Sequence, residues 1–487
     1  MSPNFIALTV ISCIVAAGAF VGFYAKFHHK MDLEQWTVGG RGFGLVLVWL
    51  LMAGETYTTF TFLGASGWAY SRGGPALFIL GYQPLMYVVS FFVLPQVWEA
   101  GRRYGLQTQA DFFHFRYGSK YLAALVALFG VLCIIPYLQL QLTGLGIIVE
   151  VASFDAIHRT PAMIIAFMLV AAFVFVSGIR GVAWVSAIKD LLLLFAALFV
   201  GIAIPHIYFG GIGKMFMAVD TAHPNHLVMP GATANLGHSW YASTVLLSSL
   251  SFFMWPQFFS GCFTAKSGNI LRRNAVVMPL YSITMPLMFF VGLTALLVLP
   301  RLPGNGDLSM LMMVRKTFPP WFLGVVGGAG ALTAMVPAAI QILTAATLFA
   351  KNLWRPIFAP GMTDQQVATL AKGAVLVITA AALYSAVHSS TSLVSLLLLG
   401  YAGVAQFLPG VVLGLYSSYV TRTGVFTGLI AGVVLVSFLT LTRHDPFLGI
   451  NAGFVSLCLN FLITLIVSRV TAPESANFRE SQASQIG

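Results

Sequence analysis

Charge is what this sequence has least of. Only 8% of its 487 residues are Asp, Glu, Lys or Arg, against roughly 25% in an ordinary soluble domain. That scarcity excludes a soluble globular enzyme, a disordered chain and a nucleic-acid-binding protein. Cysteine is scarce too. Cys13, Cys133, Cys262 and Cys458 all fall in apolar runs, and their spacing offers neither a disulfide framework nor a metal site. No connection is long enough for a soluble domain; the longest, about 209–238, is expected to carry short helices. A nucleophile–base set, a metal spacing and a phosphate-cradling loop are all lacking, so neither enzyme chemistry nor a cofactor is expected. His206, His388 and the loop residues His223, His226 and His238 are scattered; His223 and His226 read as a solvated loop pair rather than metal ligands. The glycines near 39–44 read as helix-entry turns.

What is present is hydrophobicity: 58% of residues are apolar and the mean hydropathy is +0.88. A helix crosses a bilayer with about 20 apolar residues. Thirteen runs qualify: 4–25, 43–69, 74–97, 120–150, 160–177, 182–208, 239–264, 275–299, 321–350, 366–388, 391–417, 424–441 and 449–469. Lipid permits only helices or closed barrels to span it, and runs this long mean helices. The expectation is an all-α polytopic membrane protein of a single domain, 1–487.

Basic residues set the orientation. The leader before the first run carries no positive charge, whereas Lys26, His28, His29 and Lys30 follow it, the reverse of a secretory signal. With the N-terminus outside, most Lys and Arg fall on the cytoplasmic side, among them Arg102, Arg103, Arg116, Lys266, Arg272, Arg273, Lys351, Arg355, Lys372, Arg469 and Arg479. Arg72, Arg159, Lys214, Arg301, Arg315, Lys316 and Arg443 fall outside. The expected location is the inner (plasma) membrane, with the C-terminus cytoplasmic.

Transporters built from inverted repeats interrupt the first helix of each repeat near the bilayer middle, and the freed backbone binds solute and ions. Two spans fit. The second carries Gly54, Glu55, Thr56, Tyr57, Thr58, Thr59 and Thr61 in mid-membrane; the seventh carries Trp255, Pro256 and Gln257. Proline removes a helical hydrogen bond and clashes with the preceding turn. If span 2 opens one five-helix repeat, span 7 opens the next. The plainer alternative is a proline kink and a threonine-rich packing face.

Ionisable groups inside spans are functional candidates. Glu55 lies about 18 Å along its helix and Lys189 and Asp190 about 10 Å along theirs, at 1.5 Å per residue. Lys189 could instead snorkel to the interface. Asp190 is expected on a different face from Lys189, since helix neighbours do not share one.

These residues, with several motifs, resemble the sodium/solute symporter family. The segment from Arg102 to Lys120, ending Leu-Gln-Thr-Gln-Ala-Asp-Phe-Phe-His-Phe-Arg-Tyr-Gly-Ser-Lys, is similar to the family's loop between its third and fourth helices. Ser177 to Trp184 resembles its turn into the sixth helix, and Tyr401 to Gly414, containing Gln406-Phe-Leu-Pro409, its eleventh. Gly54 to Phe62, Met254-Trp-Pro256, Leu271 to Ala275 and Val336-Pro-Ala-Ala339 are closest to the monocarboxylate permease branch. The resemblance, over about residues 5–470, implies a LeuT-like fold. That fold would comprise an extra helix at 4–25, inverted repeats at 43–208 and 239–417, two C-terminal helices at 424–469, and alternating access. It also implies a short carboxylate substrate such as lactate or pyruvate, or an amino acid.

One departure stands out. Sodium-coupled members hold the ion with hydroxyls of the ninth helix and carbonyls of the second. Alignment on Lys351 puts Leu332, Met335 and Val336 at those ninth-helix positions, none with a side-chain oxygen. The sixth-helix acidic position falls at Ser186 and a nearby glutamine at Lys189. An ammonium there would stand in for the cation, as in a few sodium-independent transporters of this fold. The expected partners are therefore a small carboxylate, a coupling ion (proton rather than sodium) and the bilayer, with no nucleic acid. Glu55 and Lys189 are the expected ion-coupling residues. Gly54, Tyr57, Thr58, Thr59, Thr61, Trp255, Pro256 and Gln257 are the expected solute site. Tyr137, Gln139, Gln141 and Gln406 are further candidates, and Phe252, Phe253 and Tyr401 are gates or simple packing. The alternatives are a sodium-coupled carrier of an amino acid or other polar nutrient, and a transporter-like sensor; the short tail after Arg469 argues against the sensor.

Overall fold

The computed structural model describes residues 2–24, 38–302 and 306–471, without the side chains of 175–178 and 180. Lys26, His28, His29, Lys30 and Arg479, part of the orientation argument, lie outside the described residues. Among those described, the chain is helical, with two isolated β-bridges and no sheet.

The helices are α1 (Pro3–Tyr24), α2a (Leu45–Thr56) with α2b (Phe60–Ser71), α3 (Phe78–Tyr104), α4 (Gln109–Tyr117), α5 (Lys120–Ala152), α6 (Arg159–Phe209), α7 (Ile212–Ala222) and α8a (His238–Met254) with α8b (Pro256–Cys262). Then come α9 (Gly268–Val298), α10 (Ser309–Thr317), α11 (Pro320–Phe358), α12 (Asp364–His388), α13 (Leu393–Tyr416), α14 (Arg422–Leu441) and α15 (Ala452–Val470). Ten are long and apolar enough to cross a membrane, and the pairs α2a/α2b and α8a/α8b bring the number to twelve. The remaining expected crossing is hidden in α6. Its 51 helical residues would run about 75 Å if straight. Yet both ends meet the same short segment: Asp155, just before α6, pairs with Arg315 at 2.9 Å, and Tyr208 bonds Thr317 at 3.1 Å. The chain therefore doubles back within α6, giving an apolar limb Arg159–Val174 and a second limb Gly181–Phe209, as runs 160–177 and 182–208 predicted.

Without a strong hydrophobic drive between helices in lipid, small residues let backbones approach. Gly424, Gly428 and Gly432, four apart on α14, lie against Ser468, Thr464 and Asn460 of α15 and against Gln406. Gly324, Gly327 and Gly328 of α11 receive Val10, Ile11 and Ile14 of α1 in the same way.

The ends sort onto two faces. On one, Arg72 donates to Thr233 (2.7 Å), His226 bonds the Ala69 carbonyl (2.8 Å) and Arg315 meets Asp155. On the other, Lys351 meets Asp111 (2.8 Å), Arg41 donates to the Leu106 carbonyl (2.7 Å) and Arg116 to the Gly414 carbonyl (2.6 Å). His226 departs from expectation: it is buried, and its bond to α2b anchors the loop after α7. A carbonyl in a helix's last turn lacks an intrahelical donor, and His226 supplies one to Ala69.

Candidate functional site

Both interrupted spans break where the polar residues and the proline fall, and by nearly the same angle: 52° between α2a and α2b, 51° between α8a and α8b. At the first, Tyr57 leaves helical geometry (φ −101°, ψ 90°). At the second, Trp255 does (φ −57°, ψ 128°), as a residue before proline is pushed to do.

Each break frees carbonyls, and four of them are met from other helices. Lys189, on the second limb of α6, donates to the Gly54 carbonyl (3.1 Å) and the Tyr57 carbonyl (3.0 Å). Tyr137 of α5 reaches the Glu55 carbonyl (3.3 Å). Gln109 of α4 reaches the Met254 carbonyl (2.9 Å). The approach of α6 to α2a requires a glycine: a Cβ on Gly54 would sit 2.6 Å from Ser186 Oγ and 3.5 Å from Val336. Ser186 and Val336 thus border the first break, while Leu332 packs on Gly18 of α1.

Lys189 does not snorkel. It is fully buried and its ammonium ends inside the break. The expectation for Asp190 is corrected as well. Its carboxylate oxygen Oδ1 lies 2.8 Å from Lys189 Nζ. A long flexible stem lets an ammonium swing off its own helix face, and a lone buried charge is far costlier than a paired one. The three acceptors Gly54 O, Tyr57 O and Asp190 Oδ1 match the three donors of an ammonium. Tyr281 of α9 also donates to Asp190, at Oδ1 (3.3 Å) and the backbone carbonyl (3.2 Å). Its ring tilts against Tyr57 at 4.2 Å, whose hydroxyl bonds Ser282 (2.8 Å) and Tyr87 (3.1 Å).

Glu55 is left out of this network. Its carboxylate faces the field of Lys189 and lies beside the Gln257 amide, but neither oxygen has a hydrogen-bond partner among the described residues. Gln257, the Trp255 indole N–H and the Thr61 hydroxyl are also buried without partners. Trp255 lies against Tyr137 (4.8 Å) and Tyr401 (5.6 Å), and Tyr401 contacts Tyr82 and Phe252. Glu55, Tyr57, Lys189, Trp255 and Gln257 are each at most 2% exposed, so the centre is sealed from both faces. Unfilled donors and acceptors beside an aromatic wall suit a small polar solute, since buried polar groups otherwise find partners.

The other candidates divide. Thr59 donates to Gln141 (2.6 Å) and Thr58 caps the start of α2b through the Phe60 N–H. Pro256 packs on Gly130 of α5. Gln139 accepts from Ser385 of α12 (2.7 Å). Gln406 is turned elsewhere: it bonds the Ala402 carbonyl and Asn460 of α15. Sequence reasoning passed over Tyr281, Ser282, Tyr87, Gln83 and Gln341. The two glutamines are buried, unpartnered amides in apolar spans, and the scarcity that exposed Glu55 would have found them. The tyrosines and the serine carried no such signal, because their partners are distant in sequence.

A sealed polar centre between two matched helix breaks, inside a polytopic bundle, defines a membrane transporter of the LeuT-like fold. A family profile described as the sodium:solute symporter family matches residues 36–432. The chain belongs to that family, and it is a multi-pass secondary symporter. It is 44% identical to the uncharacterised symporter YhjB of Bacillus subtilis over 477 residues, 96% of this chain and 97% of that protein. It is 28% identical to a monocarboxylate transport permease protein of Rhizobium johnstonii, over 96% and 97%. Among solved structures, a Na+-coupled sialic acid symporter in a substrate-bound outward-open state superposes with a TM-score of 0.78 at 18% identity, over 96% of this chain and 98% of that one. Mhp1, a nucleobase-cation-symport-1 family transporter in a closed conformation, superposes with 0.61 at 10% identity, over 92% and 98%.

Proposed function

We propose that this chain imports a small monocarboxylate, of the lactate or pyruvate kind, coupled to protons rather than sodium. One observation carries the coupling: the Lys189 ammonium fills the pocket formed by the Gly54 and Tyr57 carbonyls. The aligned α11 positions Leu332, Met335 and Val336 supply no side-chain oxygen for a sodium ion. A buried lysine gives up its proton readily when its surroundings change. Loss of that proton would weaken its hold on the two carbonyls and free α2 to move against α6. The Rhizobium permease supports the substrate class. In this reading the solute lies among Trp255, Gln257 and Thr61, in the plasma membrane, with the N-terminus outside and the C-terminus cytoplasmic.

The test is uptake of labelled lactate and pyruvate into proteoliposomes with proton and sodium gradients imposed separately. Uptake that answers only to sodium would overturn the coupling. Lys189→Ala is expected to abolish proton-driven uptake; full, pH-dependent transport in that variant removes Lys189 from the mechanism. The bare Glu55 carboxylate favours a second reading, an amino acid whose ammonium it would meet, and a competition panel separates the two.

A further inference from the structure

We infer that Asp190 is the resident counter-ion of Lys189 and the acceptor of its proton. The relay half of this inference rests on the proton-coupled reading above; the counter-ion half does not. The observation is a division of labour between two buried carboxylates. Asp190 Oδ1 holds the ammonium at 2.8 Å, while Glu55 has no hydrogen-bond partner among the described residues. With Gly54 O and Tyr57 O, Asp190 completes the ammonium's three bonds, leaving no N–H for Glu55. Lys189 and Asp190 together form a neutral unit, both at most 2% exposed. That unit explains how a cation persists here without burdening the solute site. Glu55 is left outside the pair.

The titratable groups around the pair are Glu55 of α2a and Tyr281 of α9. One contact further lie Tyr57, Tyr87 of α3 and Tyr137 of α5. From α11 the apolar Val336 borders the break.

A proton passing from Lys189 Nζ to Asp190 Oδ1 breaks one N–H bond and forms one O–H bond, leaving the lone pair on nitrogen. The +1 and −1 charges cancel to a neutral amine and a neutral acid. Net charge in the membrane interior does not change, so the step avoids the cost of stranding a charge there. The two carbonyls lose their charge-assisted donor, which weakens those bonds. Once the site opens, water would take the proton from Oδ1, while Oδ2, which has no partner among the described residues, remains a bare acceptor. Tyr281, bonded to Oδ1, positions the carboxylate.

The experiment measures melting temperature of the purified protein from pH 5 to 9 for the wild type, Asp190→Asn, Lys189→Met and the double variant, alongside uptake. In Asp190→Asn the ammonium loses its counter-ion. Its melting temperature should fall below that of the wild type at low pH and recover as pH rises and the lysine sheds its proton. The double variant should lose that pH dependence. A profile for Asp190→Asn parallel to the wild type, or one that survives Lys189→Met, overturns the counter-ion assignment. Asp190→Glu, which keeps a carboxylate, should follow the wild type and guards against a folding failure of the asparagine variant. For the relay, proton-driven uptake of labelled lactate should fall at least tenfold in Asp190→Asn, with counterflow in the absence of a gradient retained. Equal losses of both overturn it. Sodium-driven uptake by the wild type would defeat the relay and the proposed coupling while leaving the melting profiles readable for the counter-ion.

Discussion

At Gly54 the transport hypothesis comes down to one missing methyl group. A Cβ there would lie 2.6 Å from Ser186 Oγ, closer than side-chain atoms tolerate, so α6 would retreat and Lys189 would lose the Gly54 carbonyl. Gly54→Ala is expected to remove most uptake while the protein still reaches the membrane, and adding Ser186→Ala should recover part of it. Uptake assays on the single and double variants check this; no recovery would place the defect elsewhere. Asp307, in the loop before α10, titrates in the physiological range. Burial pushes its carboxyl up to about 7, against the opposing Leu393 N–H and Arg159. Its Oδ2 accepts that N–H at 3.0 Å, at the start of α13, and Gly67 of α2b is pressed against it. A carboxyl raised in this way is protonated in the folded protein but ionised above about pH 4 when unfolded. Its contribution to stability is therefore full below pH 4 and is lost as pH rises to about 7. Melting curves over pH 4–8 should show that decline in the wild type, with a flatter profile in Asp307→Asn.

Among the elements, the two broken helices form the proposed site, and their sequences break them by different means. In α8 the cause is local: Pro256 lacks an N–H and forces Trp255 out of helical geometry. Pro256→Ala would allow α8a and α8b to join, and uptake is expected to drop more than tenfold with expression unchanged. Transport at wild-type rate would mean the break is held by packing instead. In α2 the cause is distributed, since no proline is present. The Thr59 hydroxyl donates to the Gln141 side chain, the Thr58 hydroxyl accepts the Phe60 N–H at the start of α2b, and Lys189 captures the carbonyls. Away from the centre, α4 ties the face carrying Asp111 to the second break. Burial pushes the Asp111 carboxyl up, but Lys351 together with bonds from Gln107 and Asn352 holds it below its usual range, while Gln109 holds Met254.

For the whole molecule, the sorting of loops onto two faces follows from contacts, whereas the choice of which face is cytoplasmic comes from the Lys and Arg bias. Single cysteines introduced at Asp220 and Arg443, in a variant lacking the four native cysteines, should react with a membrane-impermeant maleimide from outside intact cells. Cysteines at Arg272 and Lys372 should react only after permeabilisation. The reverse pattern inverts the assignment.

The sequence by itself determined the class. Scarcity of charge marked the membrane spans, the motifs marked the family, and a proline and a threonine cluster marked both breaks, because these signals are local and depend on composition or neighbouring residues. Glu55 and Lys189 were legible for the same reason: an ionisable group in an apolar run is conspicuous. What only the tertiary structure decided is which groups meet. The pairing of Lys189 with Asp190 contradicted helix-face reasoning, because a flexible ammonium is placed by the acceptors it finds rather than by its register. Tyr281 reaches Asp190 across 91 residues and Ser282 reaches Tyr57 across 225. No spacing encodes such contacts, since they exist only once helices distant in sequence are packed side by side.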